Sequence, residues 1–219
     1  MAKGKLIVLE GNEGCGKSTQ LKLLVERLKK EGKDVLQLHF PKHEVSFGKV
    51  VDAYLRGEFG SKDLIPPEFI AMLYMADFYE SKKLMDEALS HGKFILLSRY
   101  FSSTLTYQVA LEKNDKDSLW EWIRSTCSRL PQPDAVFVLD VPLEISKKVL
   151  ENANRAEAYK QGAKKDQHES DLNFLKKISE EYERNIEKLG WRRIICTKNG
   201  LLLSAEEISN KVWSEVNSL

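Results

Sequence analysis

One run near the amino end holds the residue types most able to do chemistry: Gly11-Asn12-Glu13-Gly14-Cys15-Gly16-Lys17-Ser18-Thr19. It matches G-x-x-x-x-G-K-[ST], the pattern of a loop that cradles phosphates. Gly11, Gly14 and Gly16 admit backbone angles that a Cβ would forbid, so successive amide N–H groups can point into one concavity. A helix starting at the end of the loop adds partial positive charge facing the same spot. The Lys17 ammonium can reach the β- and γ-phosphates of a nucleoside triphosphate, and the Ser18 hydroxyl can ligate Mg²⁺.

Such a loop needs a strand before it and a helix after it, and both are legible. Leu6-Ile7-Val8-Leu9 is an apolar strand, and from Ser18 to about Lys30 the residues Leu21, Leu24, Val25 and Leu28 recur at helical spacing. The predicted strands are Lys5–Glu10, Asp34–Phe40, Phe94–Ser98, Ala135–Asp140 and Arg192–Cys196. The segments between them are too long for hairpins. They carry helical apolar spacing, as at Phe69, Leu73, Ala76 and Tyr79. Strands apolar on both faces and separated by helices imply a parallel sheet covered on both sides. The expected fold is a three-layer α/β/α domain with about five parallel strands.

The 219 residues suit one domain, or a core domain with a small mobile part, and no linker divides them. Lys and Arg number 34 against 33 Asp and Glu, a balance that argues against a nucleic-acid coat. Cys15, Cys127 and Cys196 show no C-x-x-C spacing, which predicts reduced thiols in a cytosol. No apolar run reaches the ~18 residues of a membrane span, and the start lacks the pattern of a signal peptide. His39, His43, His91 and His168 show no metal-ligand spacing. Cys15 sits under a helix N-terminus, where a thiolate is favoured, although an inert loop residue is the plainer reading. A GTPase would show N-K-x-D and D-x-x-G elements, and neither is present. A transport ATPase would need a longer domain with a signature loop. Small kinases acting on metabolites remain, with the second substrate across the carboxyl edge of the sheet.

At this point the chain resembles the thymidylate kinase family along essentially its whole length. The residues that carry the likeness are Leu9-Glu10-Gly11 leading into Gly14 to Gln20, Phe40-Pro41, Arg99-Tyr100, Ser102-Ser103, Tyr107-Gln108 and Leu139-Asp140-Val141-Pro142. The resemblance implies transfer of the γ-phosphate of ATP to dTMP, with Mg²⁺, in a cytoplasmic homodimer of single P-loop kinase domains. Gly11 to Thr19, with Asn12 and Cys15 among them, would bind ATP. Glu13 looks like the acidic loop residue that holds the deoxyribose 3′-hydroxyl, and Tyr74 like the aromatic that stacks on the pyrimidine. Arg99 matches the clamp on the acceptor phosphate. Phe40, Pro41, Ser103, Tyr107 and Gln108 resemble other acceptor-contacting positions.

The polar stretch Asn154 to Ser170 then reads as a lid over ATP. With Gly14 where some relatives carry arginine, the family places its catalytic cation in the lid. Arg155 is the candidate, ahead of Lys160, Lys164 and Lys165. Four positions depart from the family pattern. Ser98 stands in place of Asp, and Phe78 in place of an arginine that hydrogen-bonds the base. Lys42-His43 leaves either residue to meet the acceptor phosphate, and Asp166-Gln167 stands where the lid usually has Asp-Arg. Two other readings fit these residues. One is a kinase for another nucleoside monophosphate or a nucleoside; the other is an ATP-binding regulator without turnover.

Overall fold

The computed structural model describes residues 4–44, 46–158 and 171–219, with 151–158 described by backbone alone. The chain runs β1 (Leu6–Glu10), α1 (Lys17–Lys30), β2 (Val35–His39), α2 (Ser46–Leu55), α3 (Pro67–Glu80), α4 (Lys82–Ser90) and β3 (Phe94–Ser98). It continues through α5 (Phe101–Leu111), α6 (Lys116–Cys127), β4 (Ala135–Asp140), α7 (Leu143–Ala158) and α8 (Leu172–Leu189). The remaining elements are β5 (Arg192–Ile195), β6 (Thr197–Lys198), β7 (Leu201–Leu202) and α9 (Ala205–Asn217).

Side chains alternate across a strand, and here that alternation sorts the core into two halves. Leu6 and Val8 of β1, with Ile95, Leu97, Val136 and Val138, face residues of α3, α4, α5, α6 and α8. Ile7 and Leu9, with Leu96, Phe137 and Leu139, face α1 through Leu21, Leu24 and Leu28, and α9 through Ile208 and Val212. The strands between these layers pair in parallel in the order β2-β3-β1-β4-β5. The three-layer arrangement expected from the sequence is therefore the one observed.

Two details differ from the sequence reading. In α3 the buried face is Ile70, Ala71, Met75 and Phe78, whereas Phe69 and Tyr79 are exposed and Leu73 and Ala76 half-buried. Apolar residues surround this helix, so spacing alone picks a stripe and packing against α2 and α5 decides which one is buried. The β6–β7 hairpin, absent from the sequence reading, turns on Asn199 (φ 52) and Gly200 (φ 76). Such a two-residue turn needs both central residues in the left-handed region, which Asn-Gly supplies.

Candidate active site

Strand register brings the chemistry to one edge. Leu9 of β1 lies opposite Ser98 of β3, and His39 of β2 lies opposite Ser98 from the other side. The phosphate loop, Arg99 and Phe40 therefore leave the carboxyl ends of adjacent strands together, where α/β sheets bind their ligands.

Within the loop, Gly14 (φ 75) meets the backbone of α7. A Cβ there would overlap the Ser146 carbonyl oxygen and Leu150. Gly16 (φ 93) begins α1 in a left-handed conformation that leaves the helix N-terminus open to the loop. The Lys17 ammonium is buried and donates to the Gly11 carbonyl at 3.0 Å and the Asn12 carbonyl at 2.9 Å, with Glu13 at 3.8 Å. Gly11 and Asn12 line a second cavity behind the loop, where Asn12 Nδ2 donates to Ser179 Oγ at 3.0 Å. Cys15 is buried, and that burial pushes its thiol up, the opposite of a thiolate favoured by the helix end. Thr19 is exposed.

A cavity of about 320 Å³ opens beside the loop. Glu13, Lys17, Ser18, Phe40, Pro41, His43, Tyr74, Arg99, Ser103, Tyr107 and Gln108 all line it, so every predicted acceptor-contacting residue is brought to one space. Of the pair Lys42 and His43, it is His43 that reaches the cavity. His43 Nδ1 bonds Asp52 at 2.7 Å, and its Nε2 lies 3.3 Å from His39 Nε2. Burial, and then the neighbouring His43, hold His39 below the ordinary imidazole range.

Arg99 organises the cavity wall. Its φ of 66 is a left-handed value that a non-glycine residue adopts only when its surroundings fix it. The guanidinium donates to Ser103 Oγ and to the Tyr107 hydroxyl, each at 3.0 Å, and pairs with Glu13. It also stacks over the Tyr107 ring at 4.9 Å. Behind it Glu10 is fully buried, accepting from Ser102 (2.6 Å), Ser103 (2.8 Å) and the Tyr182 hydroxyl (2.9 Å), with Arg99 at 3.9 Å. A buried carboxylate is tolerable only with this many donors. Desolvation pushes the Tyr107 and Tyr182 hydroxyls up, so both stay protonated at neutral pH, Tyr107 accepting from Arg99 and Tyr182 donating to Glu10.

The departures from the family pattern have physical consequences. Phe78 does not line the cavity; it packs edge-on against Phe40 (5.0 Å) and Tyr100 (5.2 Å) in the core. Ser98 is buried but lines the same cavity as Ser18. Arg155 lies on the backbone of α7, which extends to Ala158 and so takes in the first five residues of the stretch read as a lid. Lys160, Lys164, Lys165, Asp166 and Gln167 lie outside the described residues. Several residues were not read as site residues from the sequence: His39, Leu55, Thr104 and Leu175 on the cavity wall and Glu10 behind it. Glu10 was signalled by a charge ending an apolar strand, and Thr104 by a hydroxyl next to Ser103. Nothing local signalled His39.

These features can be set beside known proteins. A thymidylate kinase family profile matches residues 9–208. The chain is 30% identical over 217 residues to a thymidylate kinase of Plasmodium falciparum, covering 99% of this chain and 91% of that one. It is 32% identical over 216 residues to one from Bradyrhizobium, covering 98% and 90%. In three dimensions it superposes on a thymidylate kinase from Candida albicans with a TM-score of 0.76 at 21% identity, covering 100% and 93%. That structure shares the fold. Sequence likeness across nearly the whole length, joined to an intact phosphate loop at the sheet edge, places the chain in the thymidylate kinase family.

Proposed function

We propose that this chain transfers the γ-phosphoryl group of ATP to dTMP, giving dTDP and ADP. The observation that carries the reading is a single cavity joining Lys17 and Ser18 of the phosphate loop to Arg99, His43 and Tyr74. A triphosphate tail at one end and a monophosphate at the other would meet there in line.

The acceptor is a phosphate monoester whose second pKa is about 6, so its oxygen is already nucleophilic at neutral pH and needs no strong base. Catalysis is then alignment and charge neutralisation. Lys17 exchanges its two loop carbonyls for phosphate oxygens. Arg99, already held by Ser103 and Tyr107, fixes the acceptor phosphate through its planar fork, with His43 beside it. Glu13 accepts from the sugar hydroxyl, Tyr74 stacks on the ring, and Phe40 and Pro41 wall the pocket. Arg155, whose side chain lies outside those described, is the residue the family likeness offers as the cation that would stabilise the transferring group. The exposed Ser18 hydroxyl on the cavity wall suits a cation that prefers oxygen. Bound there, Mg²⁺ would draw charge from the phosphate oxygens.

Residues 1–219 are read as one catalytic domain, its lid lying at about residues 154–170. The family likeness supports a homodimer in the cytoplasm. Among the described residues no helix is long and apolar enough to cross a membrane. The test is a panel of nucleosides and nucleoside monophosphates offered with ATP and Mg²⁺. Turnover of dTMP supports the reading; turnover of nucleosides without dTMP, or no ATP consumption at all, overturns it.

A further inference from the structure

His39 and His43 both line the cavity, and their Nε2 atoms face each other at 3.3 Å. His39 ends β2 opposite Ser98, the residue before Arg99, and lies within electrostatic reach of Arg99, Glu13 and Lys17. The pair therefore stands at the phosphate end of the cavity. By contrast, among the described residues His91 bonds only Ser90 and the Glu87 carbonyl at the end of its own helix.

The surroundings fix where the hydrogens are. Asp52 of α2 turns both oxygens to His43 Nδ1, at 2.7 and 2.9 Å. A carboxylate only accepts, so Nδ1 carries a hydrogen. The other nitrogen of His43 meets His39 Nε2, and two facing nitrogens share a single hydrogen. With both rings neutral, His39 Nε2–H donates to the bare Nε2 of His43. On α3, Asp77 accepts from the Lys42 N–H at 2.9 Å and steadies the backbone that carries His43.

A phosphate dianion offers no hydrogen, so an oxygen seated over the pair must receive one from each ring. That needs a hydrogen on both Nε2 atoms, one more than the free pair holds. The balance is explicit. One proton comes from solvent, His43 becomes an imidazolium between Asp52 and the phosphate, and His39 stays neutral. Burial already disfavours a charge on His39, which assigns the charge to His43. Arg99 is charged throughout and takes up nothing.

We infer that acceptor binding takes up one proton at the His39–His43 pair, with Asp52 as the positioning residue that holds His43 ready for it. The inference rests on the proposed function, which makes the acceptor a phosphate monoester. Its sign follows from linkage. The bound pair holds its proton more tightly than the free pair, so acceptor affinity falls as pH rises, by up to about tenfold per pH unit. Around the pair stand Asp52 from α2, Asp77 from α3, Arg99 after β3, Glu13 and Lys17 of the loop, and Lys42 and Glu44 beside it in the chain. Carboxylates, ammonium groups and guanidinium groups ordinarily titrate outside pH 7–9, which leaves imidazole. Burial raises the Asp77 carboxyl, and a variant that alters His43 alone separates the two.

The test is calorimetry of dTMP binding without ATP at pH 8, where a monoester with a second pKa of about 6 is already a dianion. Titrations in HEPES and in Tris differ by the heat of buffer ionisation, and that difference counts protons. Uptake of about half to one proton is expected, with dTMP affinity falling at least about fivefold from pH 7 to pH 9. Equal heats in the two buffers, with measurable binding, overturn the inference and leave the proposed function standing. Absence of both dTMP binding and dTMP turnover removes both. His43→Arg carries its charge permanently and should bind dTMP with no uptake and a flat pH profile. Uptake that persists there belongs to another group and overturns the inference. Asp52→Asn still accepts from Nδ1–H but lacks the charge, so uptake at pH 8 should fall by at least about half and the loss of affinity should begin at lower pH. A merely structural Asp52 would lower the melting temperature and leave the pH profile in place, which overturns its role. Should the variants not fold, the two-buffer comparison in the unaltered chain decides alone.

Discussion

The Tyr182 hydroxyl on α8 donates a 2.9 Å hydrogen bond to Glu10 Oε2 at the end of β1, across a sequence separation of 172 residues. It also lies 3.4 Å from the Gly11 carbonyl, so α8 is fastened to the strand end from which the phosphate loop departs. Tyr182→Phe removes one donor from a buried carboxylate and is expected to cost about 1.5–3 kcal/mol of stability. Glu10→Ala, which takes the carboxylate acceptor from Ser102, Ser103 and Tyr182 at once, should cost more. Urea denaturation of both variants measures this, and equal stability of Tyr182→Phe and the parent chain would refute it.

Lys17→Ala is expected to lower kcat with dTMP by at least about 10²–10³-fold. Among the described residues its ammonium bonds only backbone carbonyls of the loop besides its contacts with Glu13 and Cys15, so the fold should survive. Steady-state kinetics together with a thermal melt separates lost chemistry from lost structure. Substantial turnover would remove Lys17 from the mechanism.

Arg155→Ala should reduce kcat by about 10³-fold or more, the scale of a transition-state cation, while ATP affinity changes little. Pre-steady-state rates and equilibrium ATP binding give the two numbers. Equal losses in both would mean that Arg155 only binds.

All three cysteines are buried, and burial pushes the Cys127 and Cys196 thiols up to about 12. Between the unfolded value of 9.0 and those raised values, the native state holds more protons than the unfolded state. Stability should therefore fall as pH rises above 9, with a slope of up to about 1.4 kcal/mol per pH unit for each thiol. At pH 8, alkylation of the native chain should be slow and should accelerate only on unfolding. Rapid labelling of Cys15 that ATP blocks would instead mark a reactive thiol in the loop.

Much of this architecture is legible from local chemistry. Leu6–Leu9, Phe94–Ser98 and Ala135–Asp140 are apolar on both faces because the sheet is covered on both faces, so their strand character needs no partner to be read. The phosphate loop is equally plain, since its glycines answer to backbone geometry alone. What stays hidden depends on neighbours distant in sequence. The buried stripe of α3 is chosen by α2 and α5, and the apolar residues all round it could not say so. Glu10 acquires its meaning from Ser102, Ser103 and Tyr182. Thr104 and Thr106 look alike in sequence, and only packing shows that one hydroxyl satisfies itself while the other faces the cavity.

Ser103 and Gln108 sit on one continuous rod, so the spacing between the side chain that holds Arg99 and the far wall of the cavity behaves as a fixed gauge. For the proposed acceptor, a newly added phosphate extends past the clamp and leaves the distance from first phosphate to ring unchanged. The rod therefore measures substrate and product alike.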